Sequence, residues 1–209
     1  MLLRLQALRD LVSDNTEIIV VDGGSEDNSL SIAQTVADQV IRSKPGRAIQ
    51  MNAGAAVAQG SCLLFLHIDT QLPTNFNNDL SVMKQADWGF FTVVLSGKLW
   101  PLRIIESMMN IRSSLTAVAT GDQCIFVGKQ LFEQCNGYKI IPLMEDVELS
   151  KRLREIKKPQ IVKNKVVTSS RRWETYGIIK TVILMWRLRW AFFRGVDPHL
   201  FAKRYYPKN

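Results

Sequence analysis

Acidic side chains stand where this chain changes from one kind of local pattern to another. The stretch EIIVVDGGSEDNS, Glu17 to Ser29, carries an apolar run into Asp22 and then turns through Gly23 and Gly24. A second run, CLLFL, is followed three residues later by Asp69. TGDQ places Asp122 directly ahead of a third apolar run, and Glu145-Asp146 opens the segment EDVELSKRLREI. In an open parallel sheet a ligand binds beyond the carboxyl ends of the strands, so acids at strand ends stand where a ligand would be met. An aspartate followed by two glycines suits a loop that holds a nucleotide, because glycine lets backbone come close to a ligand. The alternative is an ordinary strand-to-helix turn, with each acid acting as a turn residue or a helix cap. Four acidic points at four boundaries form a stronger pattern than any one of them.

The elements that position these acids are legible from periodicity. Leu2, Leu5, Leu8 and Leu11 recur at helical spacing. EIIVV is a short buried strand. SLSIAQTVADQV puts Leu30, Ala33, Val36, Ala37 and Val40 on one helical face, with Ser25, Asp27 and Asn28 as candidate caps. RAIQMNAGAAVAQG is a helix rich in small residues, and CLLFL a second continuous apolar strand. WGFFTVVL predicts a strand, PLRIIESMMNIRSSL a helix begun by Pro101, QCIFV a strand, EDVELSKRLREI a helix and QIVKNKVVTS a strand. Strands alternating with helices predict an α/β fold with a mostly parallel sheet flanked by helices.

At 209 residues, 46% of them hydrophobic, the chain is long and apolar enough to bury a core as one domain. Cys62, Cys124 and Cys135 are widely spaced and form no CxxC pair, which points to neither a zinc site nor a disulfide framework and fits a reducing compartment. The formal net charge of +8 favours polyanionic partners such as diphosphates, nucleic acid or an anionic membrane surface. No nucleic-acid recognition motif accompanies the charge.

VVDGGSEDNS, FLHIDT and MEDVELSKRL, in this order and at these separations, resemble the family 2 glycosyltransferases of the GT-A fold, in particular a small bacterial subgroup with HxD in place of DxD and a TGDQ segment. The resemblance runs from the first helix to about Trp173. It implies a Rossmann-like nucleotide-diphospho-sugar transferase that moves a sugar, with inversion, from a nucleotide-diphosphate sugar to a hydroxyl or carboxyl acceptor. Asp22 would accept a hydrogen bond from the nucleobase, with Gly23 and Gly24 allowing close approach. Asp69 would bind a divalent ion, Mg²⁺ or Mn²⁺, on the donor diphosphate. His67, in place of the usual acid, would touch the ribose or assist the metal, or else be a satisfied structural histidine. Asp146 would be the general base and Glu145 would orient the site. Arg47, followed by Asn52 and Gly54, would lie near the nucleotide, while Asp122 and Gln123 would line the acceptor or sugar side. SSRRW resembles the QxxRW motif without its Gln, and Arg171 or Arg172 would neutralise the leaving diphosphate.

The family pattern opens with a strand and a Pro-x-x-Asn-Glu loop, whereas LLRLQALRDL looks like the helix after them, so the sheet is expected to lack its first strand. The expected division is a glycosyltransferase domain over residues 1–173 and an amphipathic helical extension over 174–209. In the extension Ile179, Ile183, Trp186, Trp190 and Phe193 recur at helical spacing, and Lys180, Arg187 and Arg194 repeat on another face. This suits a helix lying in a membrane interface, hence a cytoplasmic enzyme held peripherally on the inner face of the cell membrane. A lipid-type or polysaccharide-precursor acceptor, for example in carotenoid-acid or polyprenyl glycosylation, would fit that location. The alternative is a helix packed on its own domain with a solvated basic side. Competing readings of the whole chain are a nucleotidyltransferase of related fold and an inactive nucleotide-sugar-binding module.

Overall fold

A computed structural model describes residues 2–205. The first half alternates strand and helix. Helix α1 (Leu2–Leu11) leads to β1 (Ile19–Asp22), α2 (Ser29–Gln34), β2 (Gln39–Arg42), α3 (Arg47–Val57), β3 (Cys62–Leu64) and α4 (Phe76–Gln85). Then come β4 (Trp88–Leu95), α5 (Trp100–Thr116), a single 3₁₀ turn (Gly121–Gln123), β5 (Phe126–Gly128), α6 (Lys129–Gln134) and α7 (Glu145–Ile156). The chain closes with β6 (Gln160–Thr168), α8 (Arg171–Tyr176), α9 (Ile178–Phe193) and α10 (Pro198–Tyr205).

The strands form two sheets. β1 and β2 pair in parallel, with Asp22 opposite Arg42. The larger sheet has the order β3-β5-β4-β6. Within it β5 is antiparallel to both neighbours, and only β4 and β6 run parallel. The sheet is therefore mixed rather than mostly parallel. The stretch read as one helix through Val40 also divides: α2 stops at Gln34, and Val40 lies in β2.

β4 is buried along nearly its whole length, as expected for a strand covered on both faces. On one face Trp88, Phe90, Val127, Phe132, Leu149 and Leu153 pack together under α3, α6 and α7. On the other, Phe91, Val93, Phe126 and Val166 meet Phe76 and Met83 of α4. Each such side chain contributes about 1.5–3 kcal/mol by leaving water. The Trp88 indole N–H donates to the Lys157 carbonyl at 2.7 Å, so its one polar atom is satisfied where α7 ends. A bulge at Phe91/Thr92 shifts the β4–β6 register, and the Thr92 hydroxyl bonds the Lys163 carbonyl there.

α9 packs through Leu188 against Val118, Leu143, Val147 and Phe201 of α10, behind the start of α7. Its other stripe, from Ile179 to Phe193, is exposed. Among the described residues no helix is long and apolar enough to cross a membrane. Residues 206–209 of the expected C-terminal extension lie outside the described residues.

Candidate active site

β1 delivers Asp22 to the rim of a cleft. Its carboxylate accepts the backbone N–H of Gly24 at 3.2 Å and of Ser25 at 3.1 Å, and Gly24 sits at φ +100° to close that turn. Hydrogen bonds from Ser25, from its side chain first and then its backbone, hold the carboxyl below the usual range. Asp22 thus serves the local turn and faces the cavity as well, and the two sequence readings of this residue coexist. Gly23 leaves room for Gln50: a Cβ there would stand 3.0 Å from the Gln50 amide, which itself donates to the Val21 carbonyl.

His67 and Asp69 lie in the turn that follows β3, closed by the Thr70 N–H on the His67 carbonyl. Together with Asp22 and Arg47 they line one cavity. Arg47, at the first position of α3, reaches His67 Nδ1 at 3.4 Å and Glu145 Oε1 at 3.9 Å. His67 Nδ1 lies 3.9 Å from Asp122 Oδ1. Burial, then the Arg47 charge, lowers the His67 pKa to about 4, so the ring is neutral at pH 7 and its contact with Asp122 is not an ion pair. Asp122 keeps 45% of its side chain exposed at the mouth. Burial of its inner side pushes its pKa up; Arg47 opposes this and Asp69 adds to it. Among the described residues no three His, Cys, Asp or Glu side chains group closely enough to hold a metal alone. The donors present fit a hard divalent ion that takes most of its oxygens from a diphosphate and water: a carboxylate at Asp69, and beside it a neutral imidazole and the Asp122 carboxylate.

The start of α7 does not line that cavity; it meets Arg47 through Glu145, and the TGDQ turn meets His67 through Gly121. Met144 adopts a left-handed conformation, φ +69°, and swings the first turn inward. Asp146 Oδ2 accepts the Gly121 N–H at 2.6 Å, and Oδ1 the Val147 N–H at 2.7 Å. Gly121 is in turn stacked on His67: a Cβ there would come 2.5 Å from the imidazole ring. This contact joins the turn after β3, the TGDQ loop and Asp146. Thr120 and Gln123 form a capping box around that 3₁₀ turn.

Glu145 is 2% exposed. Burial, then the neighbouring Asp146, raises its pKa to about 7, against the pull of Arg47. A carboxyl whose folded pKa lies above its unfolded value adds stability at low pH and loses it as pH rises through the folded value. The parent chain should therefore lose stability as pH rises from about 4.5 to about 7, and Glu145→Gln is expected to flatten that fall in melting temperature. Parallel melting curves for the two proteins across that window would refute the assignment.

Two of the residues singled out by sequence have other partners. Both ends of the Asn52 amide are bonded to the Tyr138 backbone, at 2.8 Å each. Arg172 lies 3.7 Å over the Tyr205 ring and donates to the Tyr205 carbonyl, although its charge still reaches Asp122. Besides Gln50 and Gly121, Arg112 was not singled out. Arg112 of α5 contacts Gln123 Oε1 at 3.5 Å, its Nε and Nη1 are buried with no hydrogen-bond partner, and it feels the charge of Asp146. The signal was an arginine spaced three and seven residues from Met109 and Ile105, on the inward face of α5.

Residues 3–83 match the family model described as Glycosyl transferase family 2. Among solved structures, Staphylococcus aureus TarS 1-349 superposes with TM-score 0.62 at 17% identity, over 80% of this chain and 55% of that one. The chain has the GT-A glycosyltransferase fold. A mannosyltransferase from Pyrobaculum calidifontis, in complex with GDP-Man and Mn²⁺, shares this GT-A fold with TM-score 0.62 and 17% identity, over 90% of this chain and 56% of that one. So does glucosyl-3-phosphoglycerate synthase from Mycobacterium tuberculosis, with Mn²⁺ and UDP-glucose, at TM-score 0.54 and 13% identity, over 80% and 66%. The chain spans little more than half the length of the first two of these GT-A proteins. No curated protein sequence matches it.

Proposed function

We propose that the protein is an inverting glycosyltransferase that moves a sugar from a nucleotide-diphosphate sugar to a hydroxyl or carboxyl acceptor. The observation that carries this reading is that Asp22, Arg47, His67 and Asp69 line one cavity while Gly121 joins His67 to Asp146. Asp22 and its glycines receive the nucleobase, and Arg47 and Arg172 meet the diphosphate. Asp69, with His67 and Asp122 beside it, would hold Mg²⁺ or Mn²⁺; the ion supplies positive charge against the leaving diphosphate. Asp146 takes the proton from the acceptor oxygen, and a single direct displacement inverts the anomeric carbon. Glu145, its pKa raised to about 7 by burial and by its neighbour, stands beside Asp146 and orients it. The mannosyltransferase and synthase neighbours, seen with GDP-Man, UDP-glucose and Mn²⁺, support a nucleotide-sugar donor and a divalent ion. The test is release of nucleoside diphosphate from a panel of UDP- and GDP-sugars with Mn²⁺; no release from any of them, with water or added acceptors, overturns the reading.

The acceptor is proposed to lie at a membrane. Trp186 and Trp190 of α9 are 63% and 65% exposed, beside Arg187 and Arg194. A second apolar stripe, Trp100, Ile104, Met108, Ile111 and Leu115 of α5, is also exposed. α5 abuts α9 where Leu102 and Ile105 meet Ile178 and Val182. Exposed apolar patches rimmed by positive charge suit an anionic bilayer, which supports a peripheral location on the inner face of the cell membrane. Trp186→Ser with Trp190→Ser is expected to weaken sedimentation with phosphatidylglycerol liposomes roughly tenfold or more, since each buried tryptophan is worth over a kcal/mol. Equal pelleting would exclude α9 from the contact.

A further inference from the structure

The turn that carries Asp69 is held from behind by the end of β6. The Thr70 N–H closes the turn on the His67 carbonyl at 2.9 Å. The next residue, Gln71, exchanges two backbone hydrogen bonds with Val167, at 2.8 and 2.9 Å, as an isolated antiparallel bridge. Beside the bridge the Thr70 and Thr168 hydroxyls lie 3.0 Å apart, across 98 positions of sequence. Thr70 is 5% exposed and Thr168 2%. The Thr168 carbonyl accepts the Ser96 N–H at 2.9 Å just past β4, so its backbone is fixed independently of its side chain.

A buried hydroxyl costs stability unless it is hydrogen-bonded, so at the least each member of this pair satisfies the other. The pair also reaches further. The Thr168 hydroxyl acts on the Asp122 carboxylate and favours its charged form. A hydroxyl has one proton to give, and an ionised carboxylate can only accept. With Asp122 ionised, as a cation beside it requires, Thr168 gives its proton to Asp122 and receives one from Thr70. The order Thr70 to Thr168 to Asp122 links the residue after Asp69 to the TGDQ turn through a third element, the end of β6. Its bonds reinforce one another, because each polarises the next. Asp69 and Asp122 feel each other's charge, and like charges push apart. A framework behind them keeps both carboxylates where one cation can serve them, with little ordering left to do when it arrives.

We propose that Thr70 and Thr168 are positioning residues for the divalent ion: on the reading given above that this ion sits at Asp69, their hydroxyls hold the Asp69 turn and the Asp122 carboxylate in one fixed relation. They act through the two carboxylates. To test this, Mn²⁺ is titrated into the full chain at saturating UDP, and again at saturating GDP, and the unbound ion is read by EPR. Replacing both hydroxyls by groups of the same shape leaves neither of them unpaired, so Thr70→Val with Thr168→Val should melt within about 3 °C of the parent. Its Mn²⁺ affinity should nevertheless fall roughly tenfold or more, the loss expected when a partner of a metal's ligands is removed. Thr168→Val alone should show a fall of the same size, and it gives the reading if the double variant melts early. Thr168→Ser keeps the hydroxyl and should stay within about twofold of the parent. Parental Mn²⁺ affinity in the double variant and in Thr168→Val overturns the inference and leaves the metal reading standing. A fall shared equally by Thr168→Ser makes the effect one of packing and overturns it too. A parent chain that takes up no Mn²⁺ with either nucleotide overturns both the inference and the metal reading.

Discussion

Asp146→Asn is expected to lower the rate of sugar transfer by roughly 10²–10⁴-fold, the contribution of a positioned base, while leaving the affinity for nucleoside diphosphate within about twofold of the parent. The substitution keeps one oxygen and removes the proton acceptor. Two backbone N–H groups, those of Gly121 and Val147, now bond the carboxylate, and an amide oxygen can serve only one of them well. A stability loss of about 1–3 kcal/mol follows from the other. The transfer assay is therefore run well below the variant's melting temperature, with donor at saturation. The product's anomeric configuration, read by NMR from the parent enzyme, should be opposite to the donor's. Transfer surviving at near-parental rate would remove Asp146 from the role of base, and a retained configuration would remove the single-displacement scheme.

Asp69→Ala should have the second large effect. In the presence of Mn²⁺ the affinity for UDP or GDP is expected to fall by at least roughly 100-fold, because the variant removes the carboxylate on which the ion would rest, and even groups supporting a metal's ligands cost 10–100-fold. EDTA added to the parent should produce the same loss. EDTA added to the variant should produce little more, since two changes acting through one interaction do not add. His67 is next in line as a donor and is neutral at pH 7, which keeps its ring nitrogens available. Calorimetry showing independent, additive losses would place the ion elsewhere.

Much of this was legible in the residues. WGFFTVVL is β4 residue for residue, because an apolar run of eight between polar residues has few other homes. α7 was equally plain, with acids in its first turn and apolar residues at helical spacing behind them. β2 was not: Val40 and Ile41 continue the spacing of α2, and no glycine or proline marks the turn between Gln34 and Gln39. The mixed direction of the larger sheet was hidden for a similar reason, since nothing in QCIFV says which way the strand runs. In the site, the acids were found because they end strands or open helices. Gln50, Gly121 and Arg112 act by shape and by contact with residues distant in sequence, and no local pattern announces them. The exposed stripe of α5 has the period of a core helix, so its outward face could not be told from an inward one until its neighbours were in place.

The pairing of Asn52 with the Tyr138 backbone spans 86 positions of sequence and joins two bodies that share no strand pairing. α3 packs on β1 as well as on the core of the larger sheet and carries Arg47 at its head, whereas Tyr138 opens the passage into Met144 and α7. Together with the Glu17–Gln59 contact, this amide fastens the part that carries Asp22 and Arg47 to the part that carries Asp146. Heat then has no hinge at which to part them, and the molecule should come apart in one cooperative event, with anything that grips the first half also delaying the loss of the second.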